Sequence, residues 1–486
     1  MPQEINFYNL NNFSPLLLID DKESIVGILD KKDITGGTFI WFYLEALEKY
    51  RGNQTGVYRY NIDNNIDIGP NINEELIKHL DYILNNKDIL FNFIKAKKNS
   101  EFFVKASIFV KDKFNNYKNE FNNKYKNKQF SEIEKSCIGS MVGMAIGDAI
   151  GARVEFLPLS YEFNKVKDMG NGPGGKFKLE PGQWTDDTSM GLCIADSLIE
   201  KNGEFNARDI MMRFVLWWFC GYNNAFRLDH KRENKHSVGL GGNISESIYQ
   251  FIKSNGQYEY TISGNKNTSG NGSIMRNGAI PICYFKEELK ALEYAKRQSL
   301  TTHQGDEAAG CCQLMTFIII KILNVKIKNL KNQKIINSSN KIQYSLASLL
   351  DNLKDDFKCE YKSVNYLAQS KQEGIDKNRN WNWKDKNFRY SEYRAEKQPG
   401  YIGSYCMDGL SMALHILYTT DNFKDAMLKA VNLCGDADSL GSIVGQIAGA
   451  YYGLDSIPEN WITTLNKWDN NEIALRGYIL CNLFKN

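Results

Sequence analysis

Two short runs of carboxylates and hydroxyls carry the clearest chemical signal in this sequence. The first reads TDDT at 185–188 and the second reads GDADS at 435–439, and each precedes a segment with helical patterning. Ligand sets made of oxygen, without cysteine or histidine, suit hard cations such as Mg²⁺, Mn²⁺ or Ca²⁺ rather than zinc. If the fold brings the two runs together, they form a binuclear metal site.

Both runs also have a simpler interpretation as helix caps. The first turn of a helix exposes unpaired N–H groups and the positive end of the helix dipole, which favour carboxylates. Asp186 and Asp187 taken alone fit that interpretation. The second run, with Asp436 and Asp438, weakens it because each run also places a hydroxyl beside its carboxylates. On the runs alone, capping and cation binding both stay open.

The segments that must position these runs have the patterns of helices. Ser131 followed by Glu134 is the signature of a capping box at a helix start. After Asp438, apolar residues recur at the i, i+3, i+4, i+7 spacing of a helix. Glycine costs about 1 kcal/mol per site in a helix interior, so glycines repeated every four residues predict close contact between helices. They are Gly139, Gly143 and Gly147 in one segment and Gly441, Gly445 and Gly449 in the other.

Further segments carry groups that suit a binding site. A glycine-flanked acidic turn, 147–151, is predicted to lead from the first core helix to Glu155. A glycine-rich turn, 237–242, and a polar loop, 267–276, offer backbone N–H groups and hydroxyls that bind phosphate oxygens without a lysine. The stretch 301–303, which ends in a histidine, is predicted to begin another helix.

The composition argues against several classes of protein. Hydrophobic residues make up 42% and charged residues 24% of the chain, as in an ordinary globular protein. The net charge of +3 gives no reason to expect binding to nucleic acid or to an anionic membrane. No apolar run of about 18 residues and no signal-peptide pattern occurs, so we expect no membrane span. The ten cysteines are scattered without CxxC spacing, which predicts a reducing, cytoplasmic compartment.

A chain of 486 residues exceeds one ordinary core, so two domains or one domain with large insertions is expected. Changes in composition along the chain favour a division near residue 130. Residues 131–486 hold the motifs and are patterned as helices, with an insertion at about 325–400. Residues 1–130 form an accessory domain without a catalytic motif. Its β-like runs are 13–26 and 56–62, its helical run is 38–50, and its Lys/Asn-rich end, which fits a solvated helix or a linker, is 111–128.

Taken in order, these segments resemble the ADP-ribosylglycohydrolase family, which includes the dinitrogenase-reductase-activating glycohydrolases and the ADP-ribosylarginine hydrolases. The resemblance covers roughly 131–325 and 400–480 and does not extend to residues 1–130. The matching segments are GSMVGMAIGDAIGARVEF (139–156), GQWTDDTSM (182–190), SGNGSIMRNGAIPI (269–282), TTHQGDEAAG (301–310), GSYCMDGLSMAL (403–414) and GDADSLGSIVGQIAGAYYG (435–453).

The resemblance implies a mainly α protein with a compact all-α ADP-ribosylglycohydrolase-type helical domain. The β-like and helical runs of residues 1–130 predict an additional N-terminal α+β domain. It also implies two Mg²⁺ ions in a central cleft, with Mn²⁺ as a substitute. The implied metal ligands are Thr185, Asp186, Asp187, Asp436, Asp438 and Ser439. The implied catalytic carboxylates are Glu155, Asp187 and Asp438. The implied substrate-binding residues are Gly239, Gly241, Asn267, Thr268, Ser269, Asn271, His303 and Tyr405.

The reaction implied by the resemblance is hydrolysis of the bond between C1″ of ADP-ribose and a protein side chain, with arginine as the expected acceptor. Asp187 or Asp438 is expected to move the proton, and the choice between them stays open. The expected partner is an ADP-ribosylated protein and the expected state is a monomer. One alternative is an immunity protein that neutralises an ADP-ribosylating toxin by hydrolysis, by steric binding through residues 1–130, or by both. Another is a non-catalytic ADP-ribose binder.

Overall fold

The computed structural model describes two short segments near the N-terminus and most of the chain from residue 101 onwards. The described ranges are Leu16–Ile19, Ile25–Leu29, 101–229, 231–232, 236–254, 256–336 and 345–484. Strands β1 (Leu16–Ile19) and β2 (Ile25–Leu29) pair antiparallel, with Leu16 opposite Leu29. They overlap the predicted β-like run 13–26, whereas the predicted runs 38–50 and 56–62 lie outside the described residues.

From residue 101 onwards the named elements are helices, which confirms the predicted mainly α fold. The α-helices are α1 (Glu101–Asn127), α2 (Glu132–Gly151), α3 (Asp186–Glu200), α4 (Ala207–Cys220), α5 (Gly242–Lys253), α6 (Ala279–Tyr284), α7 (Glu288–Leu300), α8 (Asp306–Ile336), α9 (Leu346–Asp351), α10 (Leu353–Asp356), α11 (Lys362–Ala368), α12 (Glu392–Lys397), α13 (Cys406–Tyr418), α14 (Phe423–Val431), α15 (Ala437–Tyr452), α16 (Glu459–Asp469) and α17 (Glu472–Asn482). Short 3₁₀ turns lie at Asn271–Ser273, Lys377–Arg379 and Leu454–Ser456.

Helices α2 and α15 run antiparallel and in close contact at the centre of the fold. A Cβ placed on Gly143 would lie 2.2 Å from the carbonyl oxygen of Gly445, and one on Gly445 would lie 2.0 Å from that of Gly143. Only residues without a side chain allow the backbones to approach so closely. The helix contact predicted from the glycine repeats is therefore confirmed. We call this contact between α2 and α15 the seam. Where it reaches the acidic runs, Gly151 meets the backbone of Ala437, so the end of α2 lies beside the start of α15.

Local signals set the ends of the helices that carry the site. At the start of α2, Ser131 Oγ accepts a hydrogen bond from the N–H of Glu134 at 3.3 Å. The Ser131 N–H donates in return to Glu134 Oε2 at 2.8 Å, which completes the predicted capping box. Helix α3 ends at Glu200, shortly before Gly203, whose φ of +81° strains any residue with a side chain. These ends follow from the sequence itself.

The last part of α1 packs against the helical unit that follows it. Phe121 is 1% exposed, and its ring centroid lies 5.8 Å from that of Tyr478 on α17 and 5.6 Å from that of Phe130. The Lys/Asn-rich stretch 111–128, for which a solvated helix or a linker was predicted, is therefore mostly helix with one buried face. The domain boundary at residue 130 stays a prediction.

Helix α8 runs without a break through Ile336, past the point where the insertion was predicted to begin. Its part Asp306–Leu330 is long and apolar enough to cross a membrane, but 78% of its most apolar stretch is buried inside the protein. Burial on that scale is typical of the core helix of a globular domain. The sequence was expected to hold no segment long and apolar enough to span a membrane. By length and composition alone, α8 is such a segment.

The predicted insertion is folded where the structure describes it. Residues 345–397 form α9 to α12, with α9 packed on α13 and α11 packed on α8. Trp381 and Trp383 are fully buried, and Trp383 Nε1 donates to the carbonyl oxygen of Leu367 at 2.7 Å. This segment therefore belongs to the same hydrophobic core as the helices around it.

Candidate active site

The two acidic runs meet where α2, α3 and α15 converge. Thr185 is the N-cap residue of α3 and Asp436 is the N-cap residue of α15. Carboxylate oxygens of Asp148, Asp187 and Asp438 lie within 4.8 Å of one another, and all three side chains are buried. The Thr185 hydroxyl lies 3.5 Å from Asp187 Oδ2 and 3.4 Å from Asp438 Oδ2. The structure thus places both runs in one cluster.

Asp148 is the member of this cluster that the sequence interpretation left out of the site. Its Oδ1 accepts the N–H and the hydroxyl of Thr185 at 2.9 and 2.8 Å. Its Oδ2 accepts the N–H and the hydroxyl of Thr188 at 2.9 and 2.7 Å. Asp148 lies within α2, so the prediction of an acidic turn at 147–151 is wrong. The available signal was an aspartate directly after Gly147 in the glycine repeat of a predicted helix.

Negative charge accumulates at this junction, where Lys176 lies near enough to lower the pKa of Glu155. Among the residues that the structure describes, no lysine or arginine forms an ion pair with these carboxylates. Burial, followed by repulsion from Asp148, raises the pKa of Asp187 well above its usual range. Burial, followed by repulsion from Glu155, does the same to the pKa of Asp438. The carboxylates concerned are Asp148, Glu155, Asp186, Asp187, Asp436 and Asp438.

This arrangement fits a bound metal ion. Asp187 Oδ1 is buried and has no hydrogen-bond partner among the described residues, so it holds a free ligand position. Buried charges in proteins are otherwise paired or coordinate metals. The donor set consists of oxygen atoms, which hard divalent cations prefer. The acidic group Asp148, Asp187 and Asp438 can therefore hold a metal ion.

Asn271 connects the polar loop to the second acidic run. Its Nδ2 donates to Asp436 Oδ2 at 3.0 Å and to the carbonyl oxygen of Gly403 at 3.1 Å. Its backbone N–H donates to the carbonyl oxygen of Ser404 at 2.8 Å. Asn271 is nearly buried, so these bonds are shielded from water. The loop and the segment 403–405 therefore form one wall beside Asp436.

The glycine-rich turn 237–242 lies against the first acidic run. A Cβ on Gly239 would lie 2.0 Å from Asp186 Oδ1, and the φ of Gly239 is +92°. Both observations require glycine at this position. Gly241 is the N-cap residue of α5, and as a glycine it has no side chain to bond the first N–H groups of the helix. The structure thus brings Gly239 to the acidic cluster and places Gly241 at a helix start nearby in the chain.

His303 packs against the backbone of the polar loop that carries Ser269. His303 is buried, and its Cε1 would be 3.0 Å from a Cβ on Gly272. Burial lowers the pKa of His303 to about 3, so its imidazole is neutral at physiological pH. Ser269 Oγ is buried without a partner among the described residues. The prediction that a helix begins at 301–303 is wrong, because α7 ends at Leu300 and α8 begins at Asp306.

The first residues of the polar loop lie farther out. Asn267 is exposed, and its N–H donates to Asn265 Oδ1 at 2.8 Å within the loop. Thr268 Oγ1 accepts from the N–H of Asn265 at 2.9 Å and is partly buried. Both residues therefore shape the loop and, unlike Asn271, form their hydrogen bonds within it.

Glu155, Ser439 and Tyr405 complete the set predicted from the sequence. Glu155 follows α2, and burial together with repulsion from Asp436 raises its pKa to about 8. Its Oε2 is buried and lacks a partner among the described residues. The Ser439 hydroxyl lies 3.6 Å from Met275 Sδ. Tyr405 donates its hydroxyl hydrogen to Glu307, a residue that the sequence interpretation did not single out.

The fold and the site together define an all-α protein built around a buried acidic centre at the starts of two helices. A family model described as ADP-ribosylglycohydrolase matches residues 131–484, and the chain belongs to this family. The family expected from the sequence is therefore confirmed, and with it the assignment as an ADP-ribosylglycohydrolase.

Characterised relatives and a solved structure agree with this family. The ADP-ribosylarginine hydrolase Tri1 of Serratia proteamaculans is 32% identical over 64% of this chain and 70% of its own length. The ADP-ribosyl-[dinitrogen reductase] glycohydrolase of Rhodospirillum rubrum is 23% identical over 62% of this chain and 79% of its own. A solved structure titled "ADP-ribosylglycohydrolase-related protein complex" superposes with a TM-score of 0.51 at 27% identity, covering 72% of this chain and all of that one.

Proposed function

We propose that this enzyme uses two Mg²⁺ ions to release ADP-ribose from arginine side chains of modified proteins. The observation that carries the proposal is the group of buried carboxylates at the junction of α2, α3 and α15, which has no cationic partner in the described chain. A bound divalent cation would neutralise this charge and lower the pKa of a water molecule. The residues proposed to hold the two ions are Thr185, Asp186, Asp187, Asp436, Asp438 and Ser439.

Carboxylates of this chain are proposed to move the protons of the reaction. Hydrolysis at C1″ passes through an oxocarbenium-like transition state and uses carboxyl groups as acid and base. Glu155 and Asp187 each have a buried oxygen without a partner among the described residues, so each is free to meet water or the leaving group. Asp438 lies within the same cluster and is the third candidate. Proton transfer by such a group accelerates reactions by about 10²–10⁴-fold.

The diphosphate of ADP-ribose is proposed to lie along the polar loop and the neutral imidazole of His303. Arg276 Nη2 donates to Thr302 Oγ1 at 2.8 Å, so the Thr302 hydroxyl has its hydrogen free for His303 Nδ1, also 2.8 Å away. That bond leaves the ring hydrogen on Nε2, which faces Gly270. The ring can therefore donate to a phosphate oxygen. The other contacts proposed for the diphosphate and the proximal ribose are Gly239, Gly241, Asn267, Thr268, Ser269 and Asn271, and Tyr405 is proposed to lie beside the adenosine end.

Arginine is proposed as the acceptor because two relatives at 31–32% identity are named ADP-ribosylarginine hydrolases. The test is incubation of the full chain and Mg²⁺ with arginine-, serine- and DNA-end-linked ADP-ribose, measuring free ADP-ribose. We expect release from the arginine linkage, none after Asp186→Ala or Asp436→Ala, and none in EDTA. Undiminished turnover in EDTA, or full activity of either variant, would contradict the metal-dependent mechanism. Release from the serine linkage alone would contradict the acceptor.

Neutralisation of an ADP-ribosylating toxin is a second proposed role, which the same reaction would serve. It is favoured by the start of the family match at residue 131, which leaves 130 preceding residues outside the catalytic family. Those residues would bind the transferase directly and add steric inhibition to enzymatic reversal. A pull-down compares the full chain with a chain lacking residues 1–100 on immobilised transferase domains. Equal capture, or no capture, of both would remove the steric part of this proposal.

A further inference from the structure

Three side chains of the segment 345–398 surround one tyrosine of the candidate site. Arg379 Nη1 donates to the Tyr405 hydroxyl at 3.1 Å. The Trp381 ring meets the Tyr405 ring edge to face, with centroids 6.1 Å apart. The Arg394 guanidinium carbon lies 5.4 Å from the centre of the same ring. This segment lies outside the sequence motifs that identify the family, so its contact with Tyr405 was not foreseen.

Ion pairs hold both arginines in place. Arg379 Nε donates to Glu373 Oε2 at 2.7 Å, and its Nη2 pairs with Glu307 at the start of α8. Arg394 binds Asp408 through two parallel hydrogen bonds of 2.7 and 2.6 Å. Asp408 is 2% exposed, so this bidentate pair is shielded from solvent on one side. Planar arginine pairs of this kind fix geometry as well as charge.

The backbone around Tyr405 transmits that fixed geometry to the polar loop. Tyr405 forms a β-bridge with Gly270, and the next N–H, that of Cys406, donates to the carbonyl oxygen of Ser269 at 3.1 Å. On the other side of Tyr405, the carbonyl oxygen of Ser404 accepts from Asn271 at 2.8 Å. Asn271 in turn donates to Asp436 at 3.0 Å. A continuous chain of bonds therefore runs from Arg379 to the acidic cluster.

We propose that the segment 345–398 completes the substrate site, with Arg379 and Arg394 as positioning residues that act through Tyr405. The proposal rests on the proposed function only in taking Tyr405 and the polar loop as contacts for ADP-ribose. Loss of Arg379 would remove one of the two hydrogen bonds of the Tyr405 hydroxyl and leave the Glu307 carboxylate, its other partner, without its cation beside the site. Both effects weaken binding of the anionic ADP-ribose, whereas the acidic cluster keeps its own residues.

The variant Arg379→Gln in the full chain tests this role. Titration calorimetry with ADP-ribose and Mg²⁺ should show a Kd about tenfold higher, the effect of a lost hydrogen bond to a charged group. The KM for the ADP-ribosylated substrate should rise by a similar factor while kcat stays within about twofold, because ground-state and transition-state binding are lost together. Arg208→Gln, a change at an exposed arginine on α4, is the matched control and should leave Kd and KM unchanged.

A double-mutant cycle with Tyr405→Phe separates positioning from general destabilisation. Both changes remove the same hydrogen bond. The loss of binding free energy in the double variant should therefore be smaller than the sum of the losses in the two single variants. Additive effects, an unchanged Kd in Arg379→Gln, or absence of ADP-ribose binding by the unaltered protein would overturn the inference. If Arg379→Gln does not fold, Arg394→Lys replaces it, since lysine keeps the charge but not the paired geometry, and the same rise in Kd is expected. Tight ADP-ribose binding that depends on Arg379, without hydrolysis of the arginine linkage, would leave the inference standing and contradict only the proposed function.

Discussion

Asp148 holds Thr185 by two hydrogen bonds to one carboxylate oxygen, from the backbone N–H at 2.9 Å and from the hydroxyl at 2.8 Å. Its other oxygen holds Thr188 in the same way. Each carboxylate oxygen offers two lone pairs, so all four are in use. Asp148 therefore differs from Asp187, which keeps an unpaired oxygen. We infer that Asp148 positions the start of α3, whereas Asp187 offers the metal a free carboxylate oxygen.

Substitution of Asp148 by asparagine tests this positioning role. The amide oxygen can replace one carboxylate oxygen, but the NH₂ group would face two donors on the other side. We expect a loss of about 2–3 kcal/mol in the free energy of unfolding, as for unsatisfied buried polar groups. Hydrolase activity should fall with it because the α3 start carries Asp186 and Asp187. Urea denaturation and the ADP-ribose release assay measure the two effects.

The control for this substitution is Asp425→Asn, a change at an exposed aspartate in the first turn of α14. It should shift the unfolding free energy by no more than about 0.5 kcal/mol, as surface substitutions usually do. Native stability in Asp148→Asn would show that the four hydrogen bonds are dispensable, and the positioning role would then be wrong.

The seam between α2 and α15 predicts a strong effect of a single methyl group. In Gly445→Ala the new Cβ would lie 2.0 Å from the carbonyl oxygen of Gly143, in a place where two helix backbones touch. Alanine gains about 1 kcal/mol in helix propensity, but overpacking costs about 1–3 kcal/mol and occasionally more, and a contact as close as 2.0 Å belongs at the upper end of that range. We therefore expect net destabilisation, measured as a lower urea midpoint.

Gly172→Ala is the matched control, since a Cβ there meets no atom within 4 Å. That variant should keep the stability of the unaltered protein. If Gly445→Ala were as stable as Gly172→Ala, the two helices would not pack as closely as described. A drop in ADP-ribose release by Gly445→Ala is also expected, because the seam places the end of α2 beside the start of α15.

The variant Asp187→Asn is expected to be at least as stable as the unaltered protein without metal, but to gain less stability from Mg²⁺. In the metal-free protein, Asp187→Asn removes a buried carboxyl group whose ionised form is disfavoured by burial and by repulsion from Asp148 and Asp186. We expect its melting temperature in EDTA to equal or exceed that of the unaltered protein. Added Mg²⁺ should raise the melting temperature of the unaltered protein, because ligands that bind only the folded state stabilise it.

The Asp187→Asn variant should lose most of that rise with Mg²⁺, since it lacks the free carboxylate oxygen. Differential scanning fluorimetry with EDTA, Mg²⁺ and Ca²⁺ measures all three conditions, with Asp425→Asn as the unaffected control. An equal rise in the variant and the unaltered protein would place the metal elsewhere. A strongly destabilised metal-free variant would show that Asp187 makes a structural bond that the described contacts lack.

The helices of the site were predictable because their signals are local. The capping box at Ser131 and the glycine repeats of α2 and α15 each depend on residues a few positions apart. Spacing of this kind determines both where a helix starts and which face has no side chains. The meeting of the two acidic runs could only be inferred through the family resemblance, since nothing local relates Asp187 to Asp438.

The parts that escaped prediction depend on contacts between distant segments. Asp148 was assigned to a turn because the glycines beside it suggest a chain reversal, yet here they allow helix contact. Arg379 reaches Tyr405 only after the segment 345–398 folds onto α8 and α13. Polar residues of such a segment look like solvated surface in the sequence. Tertiary packing decides which of them are buried.

Glu155 offers the sharpest test of the chemistry. Its Oε2 is buried and has no partner among the described residues, which leaves it available to a reacting group. Glu155→Gln keeps the shape of the side chain but cannot accept or deliver the proton. We expect kcat to fall by about 10²–10⁴-fold, the usual contribution of a general acid or base. Binding of ADP-ribose should change by less than about threefold, because the change removes an interaction made in the transition state.

Discontinuous assays, in which released ADP-ribose is measured at fixed times, give kcat. Calorimetry gives the Kd for ADP-ribose in the same buffer. Glu162→Gln, at an exposed glutamate later in the same connection, is the control and should behave as the unaltered protein. A parallel loss of binding and kcat would make Glu155 a binding residue, because the energy lost would then already be present in the ground state. An unchanged kcat would instead leave Asp187 and Asp438 as the carboxylates that move the proton.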